Sequence, residues 1–241
     1  TATKRASTLQ EIPIAVSVTS SDTIEKANIL DINDLQSVVP SLRVSQLQNS
    51  TNTNFVIRGF GNGANNPGIE PSVGVFIDGV YRSRSAAAIS DLPKLERVEV
   101  LRGPQSTLFG KNASAGVISV ITAKPSGEEY GKVSATVGNY GAFAASGYYE
   151  NALSDTSAFS VSASTNTRDG YMTNLATGND SNDRNRQAFR AQLVMSPSDD
   201  TEIRFIADYD TIDEICCGVV NIQAGPTVPA INFAGGQLIP N

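Results

Sequence analysis

Chemistry in this chain is limited first by an absence: histidine does not occur. That removes His-activated nucleophiles, His zinc sites and the usual general base. No pair of carboxylates has a spacing that ties it to a cleft, so no catalytic residue is assigned and the chain reads as a non-enzyme. Cys216 and Cys217 are the only cysteines, and they are adjacent. This is neither metal-ligand spacing nor a C-x-x-C redox motif. In an oxidising compartment they either bridge to each other or pair with cysteines outside the chain. No metal site and no cofactor are expected. Gly59, Gly61 and Ala64 follow a strand in a G-x-G-x-x-A pattern, and Asp78 ends the next strand. A dinucleotide site needs a helix between those strands to face the pyrophosphate, and Pro67, Gly68 and Pro71 leave no room for one. Gly103, Gly110 and Lys111 are too far apart for a phosphate loop. What remains is chemistry of binding rather than of bond making.

The elements that would position such groups fall into two textures. Up to about residue 125 the chain reads as a mixed α/β unit. Ile14 to Thr19 alternates as a strand; Ser20, Ser21 and Asp22 open a short helix, with Glu25 placed for a capping box. Asn33 is expected to cap a second short helix stopped by Pro40. Strands follow at 42–45, 55–59 and 73–80, the last with a turn at Asp78-Gly79. Residues 92–95 read as a helical turn and 97–101 as a strand. Residues 101–122 then run strand, short helical turn, Gly-flanked loop, strand. From about Gly131 the period is two. Phe159, Val161 and Ala163 oppose Ser160, Ser162 and Ser164. Phe189, Ala191, Leu193 and Met195 oppose Arg190 and Gln192. Ile203, Phe205, Ala207 and Tyr209 oppose Arg204, Asp208 and Asp210. Five such strands are long enough to cross a bilayer at a tilt, and short turns alternate with long polar loops. That alternation fits an outer-membrane barrel with periplasmic short turns, which places the cysteines outside the cell. A soluble antiparallel sandwich has the same period, and periodicity alone leaves both open.

Composition agrees with either. Charged residues make up 17 %, the net charge is −6 and mean hydropathy is near zero. An acidic chain argues against a nucleic-acid partner. No apolar run reaches the length of a transmembrane helix. No signal peptide opens the sequence, which therefore reads as a mature product or a trimmed piece.

FVIRG at 55–59, VGVFIDGV at 73–80 and above all LRGPQSTLFGKNASAGVISVIT at 101–122 resemble the plug domain of TonB-dependent outer-membrane receptors. The order of elements resembles that family too. The resemblance implies an α+β plug over residues 1–125, followed over 126–241 by the first, incomplete set of about five antiparallel strands of a 22-stranded transmembrane β-barrel. It implies active import of a scarce nutrient, of the ferric siderophore or oligosaccharide class, with the plug gating the lumen in the bacterial outer membrane. The implied partners are the TonB–ExbB–ExbD complex, reached through a segment preceding Thr1, a small-molecule or glycan ligand, and outer-membrane lipids. The alternative is a structural or interaction subunit of an outer-membrane assembly built on the same barrel.

In the family, arginines at the two Arg-Gly positions lock the plug to barrel glutamates. The resemblance carries that role to Arg58 and Arg102, with the glutamates expected beyond Asn241. Arg97, Glu96 and Glu99 cluster beside them. Ligand contact is expected from the outward plug loops, through Asn62, Asn65, Asn66, Tyr81, Arg82 and Arg84. The asparagines offer neutral donors and acceptors, the arginines anion-binding forks, and Tyr81 a ring to stack on. The competing reading is that the asparagines and glycines there serve turn geometry.

Overall fold

A computed structural model of the chain describes residues 10–29, 31–46, 53–61, 69–83, 94–174, 177–216, 218 and 225–235. The first unit is built on a five-stranded sheet. β1 (Val16–Ser20) leads into helix α1 (Ser21–Lys26), where the Ser20 hydroxyl accepts a bond from Thr23 N. Helix α1 stops short of Ile29 because Asn28 adopts a left-handed φ of 51°, a conformation that asparagine tolerates better than most residues. A 3₁₀ turn follows at Asp34–Ser37. Asn33 stands at its N-cap position but makes no side-chain cap bond; the Asp31 carboxylate accepts from Asp34 N instead, at 3.2 Å. β2 (Leu42–Gln46) and β3 (Thr53–Ile57) form a separate antiparallel ribbon.

β4 (Val73–Ile77) turns at Asp78 and Gly79 into β5 (Val80–Tyr81). Both turn residues have positive φ, 50° and 82°, which is the two-residue hairpin geometry that Asp-Gly favours. β6 (Leu95–Arg102) and β7 (Gly116–Thr122) flank a loop containing a single helical turn, α2 (Ser106–Phe109). Leu95 therefore begins a strand rather than closing a helical turn; Leu92 lies outside the described residues. The sheet order is β1-β6-β7-β4-β5, parallel between β4 and β7 and antiparallel elsewhere.

β6 and β7 are covered on both faces. Val98, Val100, Ile118 and Val120 pack with Ile32, Leu35 and Leu42 on one side; Leu101 and Val117 pack with Phe76 and Ala113 on the other. Each such side chain, fully buried, contributes about 1.5–3 kcal/mol. Gly116 is fixed by close approach: a Cβ there would lie 2.5 Å from Leu101 O and 2.6 Å from the Ile57 side chain.

The second unit is an antiparallel meander: β8 (Tyr130–Val137), β9 (Phe143–Ser154), β10 (Ser157–Arg168), β13 (Arg184–Ser198) and β14 (Thr201–Ile212). Between β10 and β13 a small ribbon pairs β11 (Met172–Thr173) with β12 (Asp180–Ser181). A short helix, α3 (Val228–Phe233), lies beyond β14. The ribbon and α3 have no counterpart in the sequence expectations, because neither carries a long periodic pattern.

Candidate functional site

The strand wall is turned inside out relative to a protein in water. Its apolar face is bare: Val133 is 86 % exposed and Phe205 58 %, with Phe189, Ile203 and Tyr209 also on the surface. Its polar face is covered by the first unit, so that Glu150, Ser160, Arg186, Arg190 and Gln192 are buried. A soluble sandwich would reverse both, since apolar area gains by leaving water. The arrangement suits a barrel wall with lipid outside and a polar lumen inside.

The ends of the two units correspond. Thr122 leads into β8, and Lys124 pairs with Glu202 beside the short β13–β14 turn. The Asp78 end of the first sheet thus lies toward the short turns of the wall. The loops at 69–72 and 103–115 lie at the opposite end, toward the longer β10–β13 connection.

Of the residues expected to meet a ligand, Tyr81 lies toward that opposite end. Lys111 Nζ donates to Glu70 at 2.6 Å, and Asn112 Nδ2 donates to the Tyr81 hydroxyl at 2.8 Å. Tyr81, Phe76 and Phe109 form an aromatic stack, with centroids 5.3 and 5.1 Å apart. Tyr81 is therefore positioned by β4, through Phe76, and by the 103–115 loop, through Asn112. Arg82 points elsewhere: its guanidinium donates twice to the wall residue Asp208, at 3.0 and 3.1 Å. Asn62, Asn65, Asn66 and Arg84 lie outside the described residues.

The Lys111 ammonium, hydrogen-bonded to it, holds the Glu70 carboxyl below its ordinary value, with help from Asn112; Glu70 in turn raises Lys111. The Glu70 contribution to loop stability is present above its ordinary value of 4.5 and is lost as pH falls through the lowered folded value. The Lys111 contribution is present below its ordinary value of 10.5 and is lost only above it, as pH rises through the raised value. Amide protection across residues 103–115, corrected for intrinsic exchange, should be flat between those limits and fall on acidification. Glu70→Gln should remove the acid limb; an acid limb unchanged in that variant would rule out the pair as its source.

Ionic contacts join the first unit to the polar face of the wall at several points. Glu25 pairs with Lys132 at an exposed edge. Lys94 donates to Glu150 at 3.1 Å and sits over the rings of Tyr130 and Tyr148, 4.3 and 4.9 Å from their centroids. Asp31 accepts from Arg186 at 2.7 Å, and Arg186 also donates to Glu214. Asp78 meets Arg190 and Arg204, and Asp208 meets Arg82. Between these contacts lies a cavity of about 670 Å³, lined by Ser134, Ser146, Ser162 and Ser164 of the wall and by Ile24, Asn28 and Ile29 of the first unit. The sequence reading placed arginine on the first unit and acid on the wall. The buried Asp31 and Asp78 contacts run the other way. The available signal was Arg190 and Arg204 on the polar face of strands in a chain otherwise sparse in charge.

Arg58 and Arg102 have no side-chain partner among the described residues. Arg58 is exposed with a φ of 52°. Arg102 is half-buried, and its Nε is shielded without a hydrogen-bond partner. Arg97 is paired with Glu96 and Glu99, as their clustering implied.

A family model, the TonB-dependent receptor plug domain, matches residues 8–117. Residues 8–117 therefore belong to the plug-domain family of TonB-dependent receptors. The pesticin receptor of Yersinia pestis is 27 % identical over 188 residues, covering 77 % of this chain and 28 % of that protein. The vitamin B12 transporter of Vibrio vulnificus is 33 % identical over 144 residues, covering 58 % of this chain and 22 % of that one. Among solved structures, the ferric yersiniabactin uptake receptor of Yersinia pestis superposes with a TM-score of 0.76 at 26 % identity, over 82 % of this chain and 31 % of that one. The chain thus spans under a third of the length of these relatives. Its first unit is a receptor plug, its meander is barrel wall, and the receptor is an outer-membrane protein. Cys216 is disulfide-bonded; Cys217 lies outside the described residues.

Proposed function

We propose that the complete receptor imports a scarce nutrient across the outer membrane, with TonB and its ExbB–ExbD partners supplying the energy through a short box N-terminal to the plug. The observation that supports this is a folded plug resting on the polar face of a lipid-facing wall. Such a plug blocks the lumen, and work is needed to rearrange it. The cargo class is an iron chelate of the siderophore type, in keeping with relatives named for ferric yersiniabactin and ferrioxamine B; an oligosaccharide is the other class considered. We assign 1–125 to the plug and 126–241 to the wall. Tyr81, with Asn62, Asn65, Asn66 and Arg84 on the neighbouring loops, forms the plug's share of the ligand site. Arg58 and Arg102 are held for wall glutamates, a role that the shielded, unpartnered Nε of Arg102 supports. Uptake of radiolabelled ferric chelates by cells carrying the complete receptor should require TonB and stop on deletion of the box. Uptake that persists after collapse of the proton-motive force refutes the proposal.

A further inference from the structure

We infer that Asp78 and Thr122 together form a composite docking platform for the wall arginines Arg190 and Arg204, and that this platform retains the plug on β13 and β14. The inference goes beyond import and concerns retention of the plug; its readout needs neither ligand nor TonB.

The platform is composite. Asp78 follows β4, and Thr122 ends β7, the parallel partner of β4. Asp78 Oδ1 accepts from Thr122 N at 3.0 Å, Oδ2 accepts from the Thr122 hydroxyl at 2.8 Å, and Asp78 N donates to Val120 O at 2.9 Å. The carboxylate is thereby fixed before any arginine arrives. Arg190 Nη2 then bonds both Asp78 Oδ2 and Thr122 Oγ1. Arg204 approaches from the next strand. Its Nη1 reaches Asp78 Oδ1 at 3.4 Å, and its Nη2 donates to the Thr122 hydroxyl at 2.8 Å and to Thr122 O at 3.3 Å. Gln192 accepts from Arg204 Nε at 3.1 Å and orients it.

The acceptors thus come from both strands, and neither strand alone presents them all. The Asp78 and Arg190 side chains are only 4 % and 7 % exposed. Withdrawing the plug takes away Asp78, Thr122 and Arg82, and leaves Arg190 with Asp208 as its remaining partner, at 3.3 Å. Removing one partner from a buried charge cluster is strongly unfavourable.

The test uses the complete receptor in cells, with entry of a large antibiotic normally excluded by the outer membrane as the leak readout and hydrogen exchange of residues 73–77 and 116–122 as the check on the plug sheet. Arg190→Gln with Arg204→Gln leaves every bond within the plug intact. It should raise antibiotic entry about tenfold or more, as expected for loss of a buried charge-assisted contact, without altering protection of the sheet. Asp78→Asn should raise entry and also lower that protection. If the wall double variant leaks no more than wild type, Asp78 and Thr122 only stitch the plug together, and the inference is wrong. Should the double variant fail to assemble, Arg204→Gln and Asp78→Asn are combined in a double-mutant cycle on leak. Non-additive effects support the platform, and strict additivity overturns it.

Discussion

Arg186→Met should be among the most damaging single substitutions in this chain, with a loss of about 3–5 kcal/mol in unfolding of the complete receptor. Arg186, Asp31 and Glu214 have side chains only 3 %, 2 % and 3 % exposed. Arg186 Nη1 donates to Asp31 at 2.7 Å while Nε and Nη2 donate to Glu214 at 2.5 and 3.3 Å. One guanidinium therefore holds a plug carboxylate and a wall-side carboxylate together. Removing it leaves two buried acids, and Arg184, 3.9 Å from Asp31, is too far away to replace its bonds. Neutralising both acids as Asp31→Asn and Glu214→Gln in the Arg186→Met background should recover much of the loss, because a triad replaced by neutral groups of similar size is close to balanced. Denaturant titration of the three receptors decides this. A single variant within about 1 kcal/mol of wild type would show that the triad is not a structural tie, since ordinary surface changes fall near that range.

Val161→Arg and Ser164→Arg should part company, although they lie three residues apart near the middle of one strand. Val161 is on the lipid face, beside Ala191 and Phe159. Ser164 faces the cavity shared with the plug. An arginine at the midplane of a barrel's lipid face costs about 2–4 kcal/mol. The same side chain at 164 enters the space between wall and plug, where Ser146, Ser162, Asp208 and Asp210 are among the lining residues, and avoids the lipid-face penalty. Reversible unfolding from lipid vesicles measures the difference. Equal losses at the two positions would contradict the assignment of faces, and with it the reading of the meander as membrane wall.

Much of this was legible because it is local. The alternation of Phe159, Val161 and Ala163 with Ser160, Ser162 and Ser164 marks two faces without any knowledge of what covers them. Which face meets lipid was not legible, because a sandwich and a barrel wall share the period; exposure of Val133 and Phe205 settles it. The Asp78-Gly79 turn was legible from two residues, as its positive φ values bear out. The role of the Asp78 carboxylate was not. Its arginine lies 112 residues away, and that of Asp31 lies 155 away, so no window of sequence contains both partners. Asn33 shows a smaller limit. It has the right residue type at the right position, but a carboxylate two residues earlier was better placed for the bond. Asn62, Asn65, Asn66 and Arg84 point to ligand contact through side-chain chemistry alone.

The serine-lined cavity bears on how the plug can move. A space of about 670 Å³ has room for on the order of twenty waters, at about 30 Å³ each. Across that gap the side chains of plug and wall do not interdigitate. Where hydroxyls line the gap, sliding exchanges one hydrogen bond to water for an equivalent one. Friction is therefore not spread over the whole contact area. It is concentrated at a few pinned points, Asp31 and Asp78 foremost, so that displacement should proceed as discrete slips between tethers rather than as a smooth drag along the wall.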